Sequence, residues 1–322
     1  MRKTETIINL MENVLDENEL NHLRTVLNFV LQESMEAPDI SKLERDFKQS
    51  LKLTGRKDTS IAQYILELSI MLKYIDKHPV DITTRDVKEY LAKYQEERSV
   101  SMVTMSNKIR YCSTFFEWMV NEGYINKNPT KAIGRVIIPV KLKRAFSDND
   151  IEKIRDHCRI LRDRAIVEFL LATGARVSEC ARLKVSDVDF ESKELVLFGK
   201  GHKERMAYIS DTASNWILRY LDDRGPDIND PLFSASGTNC SGNEFITPRG
   251  IEKILARIGD DANVTNVHPH RFRRTFATNM WRQGVPVETI RVLLGHTNVQ
   301  TTLRYIDIDN TDVKESYVMA TV

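Results

Sequence analysis

Four short segments in the second half of the 322-residue chain carry side chains suited to moving a phosphoryl group. In the first, Thr173-Gly174-Ala175-Arg176-Val177-Ser178-Glu179, the spacing predicts a helix ending at Gly174 and another starting near Arg176. That would place the Arg176 guanidinium beside a helix N-terminus, where backbone N–H groups favour an anion. In the second, Gly199-Lys200-Gly201-His202-Lys203 sets Lys200 at a tight turn between the short runs Glu194–Phe198 and Arg205–Ile209, a hairpin pattern. The third is His268-Pro269-His270-Arg271-Phe272-Arg273-Arg274. On a helix begun near His270, His270 and Arg273 share one face at i, i+3. The fourth is Leu294-Gly295-His296, followed nine residues later by Tyr305 in Thr302-Leu303-Arg304-Tyr305.

Each segment, read alone, has a structural alternative: a surface Arg176–Glu179 pair, a buried histidine, a core tyrosine. Together, two Arg, one Lys, two His and one Tyr make a cationic cage with a nucleophile in it. A phosphodiester in transfer carries negative charge on its non-bridging oxygens, and planar guanidinium groups match them with paired hydrogen bonds. Fixed cations are worth most where charge develops in the transition state. A phenol of reference pKa about 10 is a poor nucleophile until a base or a cationic field eases its ionisation. Gly199-Lys200-Gly201 lacks the GxxxxGK[ST] spacing and is followed by a second strand, so a nucleoside-triphosphate loop is rejected. His268, His270 and His296 offer three imidazoles, but there is no HExxH and no carboxylate at ligand spacing. Arg271, Arg273 and Arg274 would repel a dication, so no metal and no cofactor is expected.

The elements that must position these groups read as mainly helical with one small antiparallel sheet. Residues 1–36 form two amphipathic helices, with Ile7, Leu10, Met11, Val14 and Leu15, then Leu20, Leu23, Val26, Leu27, Val30 and Leu31, at helical spacing. They suit either a hairpin packed on its own domain or a surface for a neighbouring subunit. After the Ala37-Pro38-Asp39 break, a helical block runs from about Lys42 to Asn126, with no strand pattern. Its stripes are Ile61, Tyr64, Ile65, Leu68, Leu72 and Ile75; then Val87, Tyr90, Leu91 and Tyr94 after Thr83-Thr84; then Ser106 to Met119, closed by Gly123. Asn128-Pro129, Gly134 and Pro139 mark a linker, and Ser147-Asp148-Asn149-Asp150 starts a helix before Ile151, Ile154 and Ile160. The expected domains are a helical extension 1–40, a helical domain 41–137, a linker 138–146 and a catalytic domain 147–322.

Composition bounds the rest. With 41% hydrophobic and 29% charged residues, both domains can bury a core. No apolar stretch is long enough to span a bilayer and no signal-peptide pattern opens the chain, so a cytoplasmic protein is expected. Cys112, Cys158, Cys180 and Cys240 are scattered and expected to be reduced. The net charge of +1 hides segregation. The first forty residues are acidic, which argues against their gripping DNA. Lys127, Lys131, Arg135, Lys141, Lys143 and Arg144 form a run with no acidic residue, suited to phosphate contact or equally to a solvated linker.

The order Arg176, Lys200, His270-x-x-Arg273, His296, Tyr305 resembles the tyrosine recombinases, or phage-type integrases, in their Xer-like two-domain form, over roughly residues 42–310. The resemblance implies a helical SAM-like core-binding domain and a mixed α+β catalytic domain closing as a C-shaped clamp on double-stranded DNA carrying specific recombination sites. It implies that Arg176 and Arg273 hold the scissile phosphate, that His296 also hydrogen-bonds it, and that His270 handles the tyrosine proton. Lys200 would protonate the leaving 5′-hydroxyl, Tyr305 would form a 3′-phosphotyrosyl link, and Glu179 would orient the Arg176 region. Cys180 and Arg274 depart from the family's usual residues, at positions outside the catalytic set. Val313, Tyr317, Val318 and Met319 on a terminal helix pack in cis or, as such helices do in this family, on the next subunit of a homo-tetramer. Accessory proteins would fit the same picture. Two rivals remain: a type IB topoisomerase-like enzyme that relaxes supercoils as a monomer, and a non-catalytic DNA-binding accessory protein, which would not need the full catalytic set.

Overall fold

A computed structural model describes residues 2–11, 14–32, 38–134, 136–138, 143–199, 204–225, 227–235, 244–308 and 310–321. The chain divides into two compact units, Met1–Val140 and Lys141–Val322.

The first unit is helical throughout its described residues: α1 (Arg2–Met11), α2 (Glu17–Gln32), α3 (Ile40–Leu53), α4 (Asp58–Ile75), α5 (Thr84–Arg98) and α6 (Met102–Asn121). Leu43, Phe47 and Leu51 repeat every four residues on α3 and are buried against Ile61, Tyr64, Leu68 and Met71 of α4 and Phe115, Phe116 and Met119 of α6. A reciprocal capping box between Thr83 and Asp86 starts α5. The sequence stripe placed the start of α6 at Ser106, but Ser101 caps the Thr104 N–H and the helix begins at Met102. That first turn carries exposed Met102 and Val103, so apolar periodicity does not reveal it. A buried lysine of this core, Lys108, lies 2.6 Å from Glu67 and 3.7 Å from the Tyr94 ring centroid. Pairing of this kind is what makes a buried charge tolerable. α1 packs on α2, burying Ile8 while Ile7, Leu10, Val14 and Val26 stay exposed.

The second unit combines α7 (Asp148–Asp156), α8 (Leu161–Thr173), α9 (Val177–Cys180), α10 (Asp211–Arg224), α11 (Pro248–Asp261), α12 (Pro269–Arg282), α13 (Val287–Leu294), α14 (Val299–Leu303) and α15 (Asn310–Thr321) with a three-stranded antiparallel sheet. The strands β1 (Val188–Asp189), β2 (Glu194–Phe198) and β3 (Glu204–Tyr208) lie in that order, with Leu195 facing both Val188 and Ala207. The hairpin was legible in the sequence. β1 was not, because two residues carry no period. α8 is buried on nearly all sides and forms the centre of the unit against α10 and α12. Ile160 belongs to the start of this helix and not to α7, which stops at Asp156. A second small core of Phe276, Ala277, Ile290, Leu294 and Ile306 supports Tyr305.

Among the described residues no helix is long and apolar enough to cross a membrane, and no cluster of His, Cys, Asp or Glu could hold a metal ion. Cys112, Cys158 and Cys180 are free thiols, and Cys240 lies outside the described residues.

Candidate active site

The site is organised around the C-terminal end of α13. A helix leaves its last carbonyls without partners, and its dipole makes that end attractive to cations. Gly295 closes α13 in the left-handed conformation at φ +63°. Four consecutive carbonyls there each accept from a different arginine. Arg205 donates to Leu293 O, Arg273 to Leu294 O, Arg176 to Gly295 O at 3.4 Å and Arg291 to His296 O at 2.7 Å.

Arg176 is the N-cap of α9, which is only four residues long. The sequence reading gave anion binding to Arg176 with the N–H groups of the helix start in support. In the structure Glu179 occupies that position: its Oε2 accepts the Arg176 backbone N–H at 2.9 Å. The guanidinium remains to meet an anion, with Nη1 donating to Glu179 Oε1 at 2.7 Å and the side chain 32% exposed. The surface-pair alternative is therefore half right, since the ion pair exists but Glu179 is buried. Burial pushes the Glu179 carboxyl up, yet Arg205 and Arg176 outweigh it and hold it below the ordinary range.

Arg273 and His270 project from α12, which Pro269 opens in its first turn. Arg273 is 1% exposed and donates to Gly174 O at 2.7 Å, to Leu294 O and to His296 Nε2 at 2.9 Å. Burial and the nearby Arg176 and Arg205 lower its pKa, but a guanidinium stays a cation at neutral pH. An arginine can only donate, so His296 Nε2 is an acceptor and its proton sits on Nδ1, 3.0 Å from Thr302 Oγ1 on α14. Burial, followed by Arg273, Arg176, Arg205 and Arg291, brings the His296 pKa down to about 4.

Tyr305 follows α14 directly. Its hydroxyl lies 3.0 Å from His270 Nδ1, and its ring is 5.3 Å from that of His296. The Arg273 and Arg274 guanidinia stand 5.6 and 5.7 Å from the Tyr305 ring centroid. Burial, then Arg273, Lys143, Arg274 and Arg176, lowers the His270 pKa, so the imidazole is neutral at pH 7 and its Nδ1 can accept a proton. Two residues on, Asp307 accepts the Ala145 N–H at 2.8 Å and an Arg144 bond at 3.3 Å. The Arg144–Phe146 segment is tied down in turn by Arg271, which donates to Ala145 O and Asp150, and by Thr275, which accepts the Phe146 N–H. Lys143, Arg144, His268, His270, Arg271, Arg274 and Tyr305 line a cleft of about 790 Å³.

Arg176, His270, Arg273, His296, Tyr305 and Glu179 thus come together, while Lys200 lies outside the described residues. The described residues of the basic run are divided between the two units. Lys143 and Arg144 reach the Tyr305 cleft; Lys127 is exposed and Lys131 pairs with Glu117 at 3.1 Å in the first unit; Arg135 and Lys141 lie outside the described residues. Sequence reasoning missed Arg205, Thr302 and Asp307. For Arg205 a signal existed: Arg205, Ala207 and Ile209 alternate on one face, and the latter two are buried.

The sequence pattern of the phage integrase family matches residues 144–311, and that of the phage integrase N-terminal SAM-like domain matches residues 43–125. A tyrosine recombinase XerC from Staphylococcus aureus (strain bovine RF122 / ET3-1) is 31% identical over 292 residues, covering 87% of this chain and 93% of the relative. The fold is similar to a XerH site-specific recombinase in a post-cleavage complex with palindromic difH substrate, at TM-score 0.67 and 22% identity over 96% of this chain and 90% of that one. It is also similar to a lambda integrase(75–356) dimer bound to a COC′ core site, at TM-score 0.68 and 16% identity over 81% and 96%.

Proposed function

The chain belongs to the phage integrase family and is a tyrosine recombinase that breaks and rejoins DNA at specific sites. From that premise we propose that Tyr305 is its nucleophile and that the groups converging on Tyr305 divide the chemistry between them. The Tyr305 oxygen attacks the scissile phosphorus while its proton passes to His270. The bond from phosphorus to the 5′-oxygen breaks, Lys200 gives that oxygen a proton, and a 3′-phosphotyrosyl link remains. Arg176 and Arg273 bind the non-bridging oxygens, where negative charge builds up in the transition state, while His296, with both ring nitrogens engaged by Arg273 and Thr302, holds Arg273 in place rather than donating to the phosphate itself. A 5′-hydroxyl from a partner strand then reverses each step. The covalent link conserves the bond energy, so no nucleotide, metal or other cofactor is required.

The observation that carries this reading is the 3.0 Å contact between Tyr305 and neutral His270 beside two guanidinia. A phenol placed there loses its proton into a base and its negative charge into a cationic field. Lys143 and Arg144, with Lys127, Lys131, Arg135 and Lys141, would track the phosphates of the duplex. The active form would be a homo-tetramer on two DNA sites in the cytoplasm. Exposed Val313, Tyr317 and Val318 on α15 give each subunit an apolar surface for the next.

The test is covalent capture. The protein is mixed with fragmented DNA of its host, denatured, and the DNA attached to Tyr305 is sequenced. A single recurrent junction is expected for the wild type, and none for Tyr305→Phe. Two duplexes carrying that junction should then exchange strands, which a topoisomerase-like monomer would not do. No adduct from the wild type would favour the accessory-protein reading.

A further inference from the structure

We infer that Arg205, a buried residue of β3 outside the catalytic set, is a positioning residue that holds Arg176 in its phosphate-binding pose through Glu179. The inference rests on the reading that Arg176 and Arg273 grip the scissile phosphate.

The two clamp arginines are supported very differently. Arg273 is fully buried and fixed by two carbonyls and His296. Arg176 is one-third exposed and its guanidinium has, among the described residues, only Glu179 Oε1 and a long bond to Gly295 O. Its pose therefore depends on what fixes Glu179. Glu179 Oε1 goes to Arg176 Nη1, and Oε2 is shared between the Arg176 N–H and Arg205 Nη2 at 2.8 Å. The other arm of Arg205 donates to Leu293 O, in the turn that supplies Leu294 O to Arg273 and Gly295 O to Arg176. One guanidinium thus ties the carboxylate behind Arg176 to the backbone behind Arg273. The planar fork of arginine can span two such acceptors, and the point charge of lysine cannot do so with the same geometry.

The cost of this arrangement points the same way. The Arg205 side chain is 7% exposed and its Nε is buried without a hydrogen-bond partner among the described residues. A buried charge of this kind is often matched or bettered in stability by an apolar side chain of similar size. Room for its stem is made by Gly295, where a Cβ would stand 2.6 Å from Arg205 Cδ. With its terminal nitrogens on Leu293 O and Glu179, Arg205 acts on the reaction through Glu179 and Arg176.

The experiment uses a nicked suicide duplex bearing the junction recovered by covalent capture, made with either a phosphodiester or a methylphosphonate at the scissile position. The methylphosphonate replaces one charged oxygen with a methyl group, so a missing or misplaced guanidinium should matter less. Arg176→Ala calibrates the assay: a loss on the phosphodiester with recovery on the methylphosphonate is required, and its absence would sink the clamp reading itself. Given that recovery, Arg205→Gln should lose about 10²-fold in adduct rate on the phosphodiester, the usual cost of one transition-state donor, and less than about fivefold on the methylphosphonate. Arg205→Lys keeps a cation facing Glu179 and should show the same pattern with about tenfold loss on the phosphodiester. If Arg205→Gln does not fold, judged by melting and duplex binding, Arg205→Lys decides alone. Equal losses on both substrates, or no loss on either, would overturn the inference.

Discussion

His296 takes a hydrogen bond from Arg273 on Nε2 at 2.9 Å and gives one from Nδ1 to Thr302 at 3.0 Å, so its tautomer and its charge are both fixed by neighbours. A second proton on this ring would have to displace the Arg273 donor while facing four arginines. The same arrangement lets His296 hold Arg273 steady and leaves a neutral ring beside Tyr305.

The first prediction concerns stability and pH. Burial and the arginines lower the His296 pKa to about 4 from an ordinary value near 6.5. Above pH 6.5 the ring is neutral in folded and unfolded chains and adds no pH dependence. Between 6.5 and 4 the unfolded chain takes up a proton that the folded chain refuses, so folding weakens as pH falls. The loss is complete below pH 4 and amounts to about 3 kcal/mol at 1.36 kcal/mol per pH unit. Urea denaturation of the wild type and His296→Gln at pH 7 and 4.5 checks this. The wild type should lose more on acidification, and an equal loss in both proteins would contradict it.

A second pH effect should appear in the rate. His270 accepts the Tyr305 proton only when unprotonated, and burial with Arg273 and Lys143 lowers its pKa. The second-order rate of adduct formation, which reports the free protein, should therefore stay level down to about pH 6.5 and fall only below it. His270→Gln should remove that acid limb and slow cleavage about 10²- to 10⁴-fold. A limb centred above pH 7 in the wild type would mean that some other group is the base.

What the sequence revealed and what it hid follow from how each contact is made. His270 and Arg273 could be placed on one face because a single helix with Pro269 in its first turn carries both. The Lys200 hairpin showed in the alternation of its strands. The hold on Tyr305 was invisible, because Asp307 meets Ala145 across 162 positions and the donor there is a backbone N–H with no residue signature. Arg205 was overlooked because a charged residue on a short strand reads as outward-facing, although the parity of Ala207 and Ile209 puts it inward. Arg271 entered the sequence reading only as a cation that would repel a metal ion, yet its donors go to Arg144 O, Ala145 O, Thr265 O and Asp150.

The Asp307 contact gives a third prediction. Its carboxylate fixes the chain two residues beyond Tyr305 to the Arg144–Phe146 segment, and its own N–H reaches Thr278 Oγ1 at 3.0 Å. Asp307→Ala frees that attachment and should lower adduct formation by about 10²-fold, the scale of a 1 Å misplacement of a reacting group. Loss of the hydrogen bonds should cost only about 1 kcal/mol of stability. Asp307→Asn keeps one acceptor and should recover much of the rate. Normal cleavage by Asp307→Ala would show that Tyr305 is held by other contacts.

Gly295 offers the sharpest steric test. It stands at φ +63°, where an L side chain is strained by about 1–2 kcal/mol. Gly225, in the same unit at φ +62°, shares that strain but faces open space. At Gly295 a Cβ would also meet Arg205 Cδ at 2.6 Å, and Arg205 cannot retreat because Glu179 and Leu293 O hold its guanidinium. Gly225→Ala should therefore cost the backbone strain alone, and Gly295→Ala a further 1–3 kcal/mol or so of overpacking. Removing the Arg205 stem should relieve that excess, so in the Arg205→Ala background the Gly295→Ala cost should fall toward that of Gly225→Ala. Denaturation of the wild type and these four variants, the double variant included, measures both differences. Additive effects would mean that Gly295 is required only for its backbone conformation and that the close passage of Arg205 does not constrain this turn.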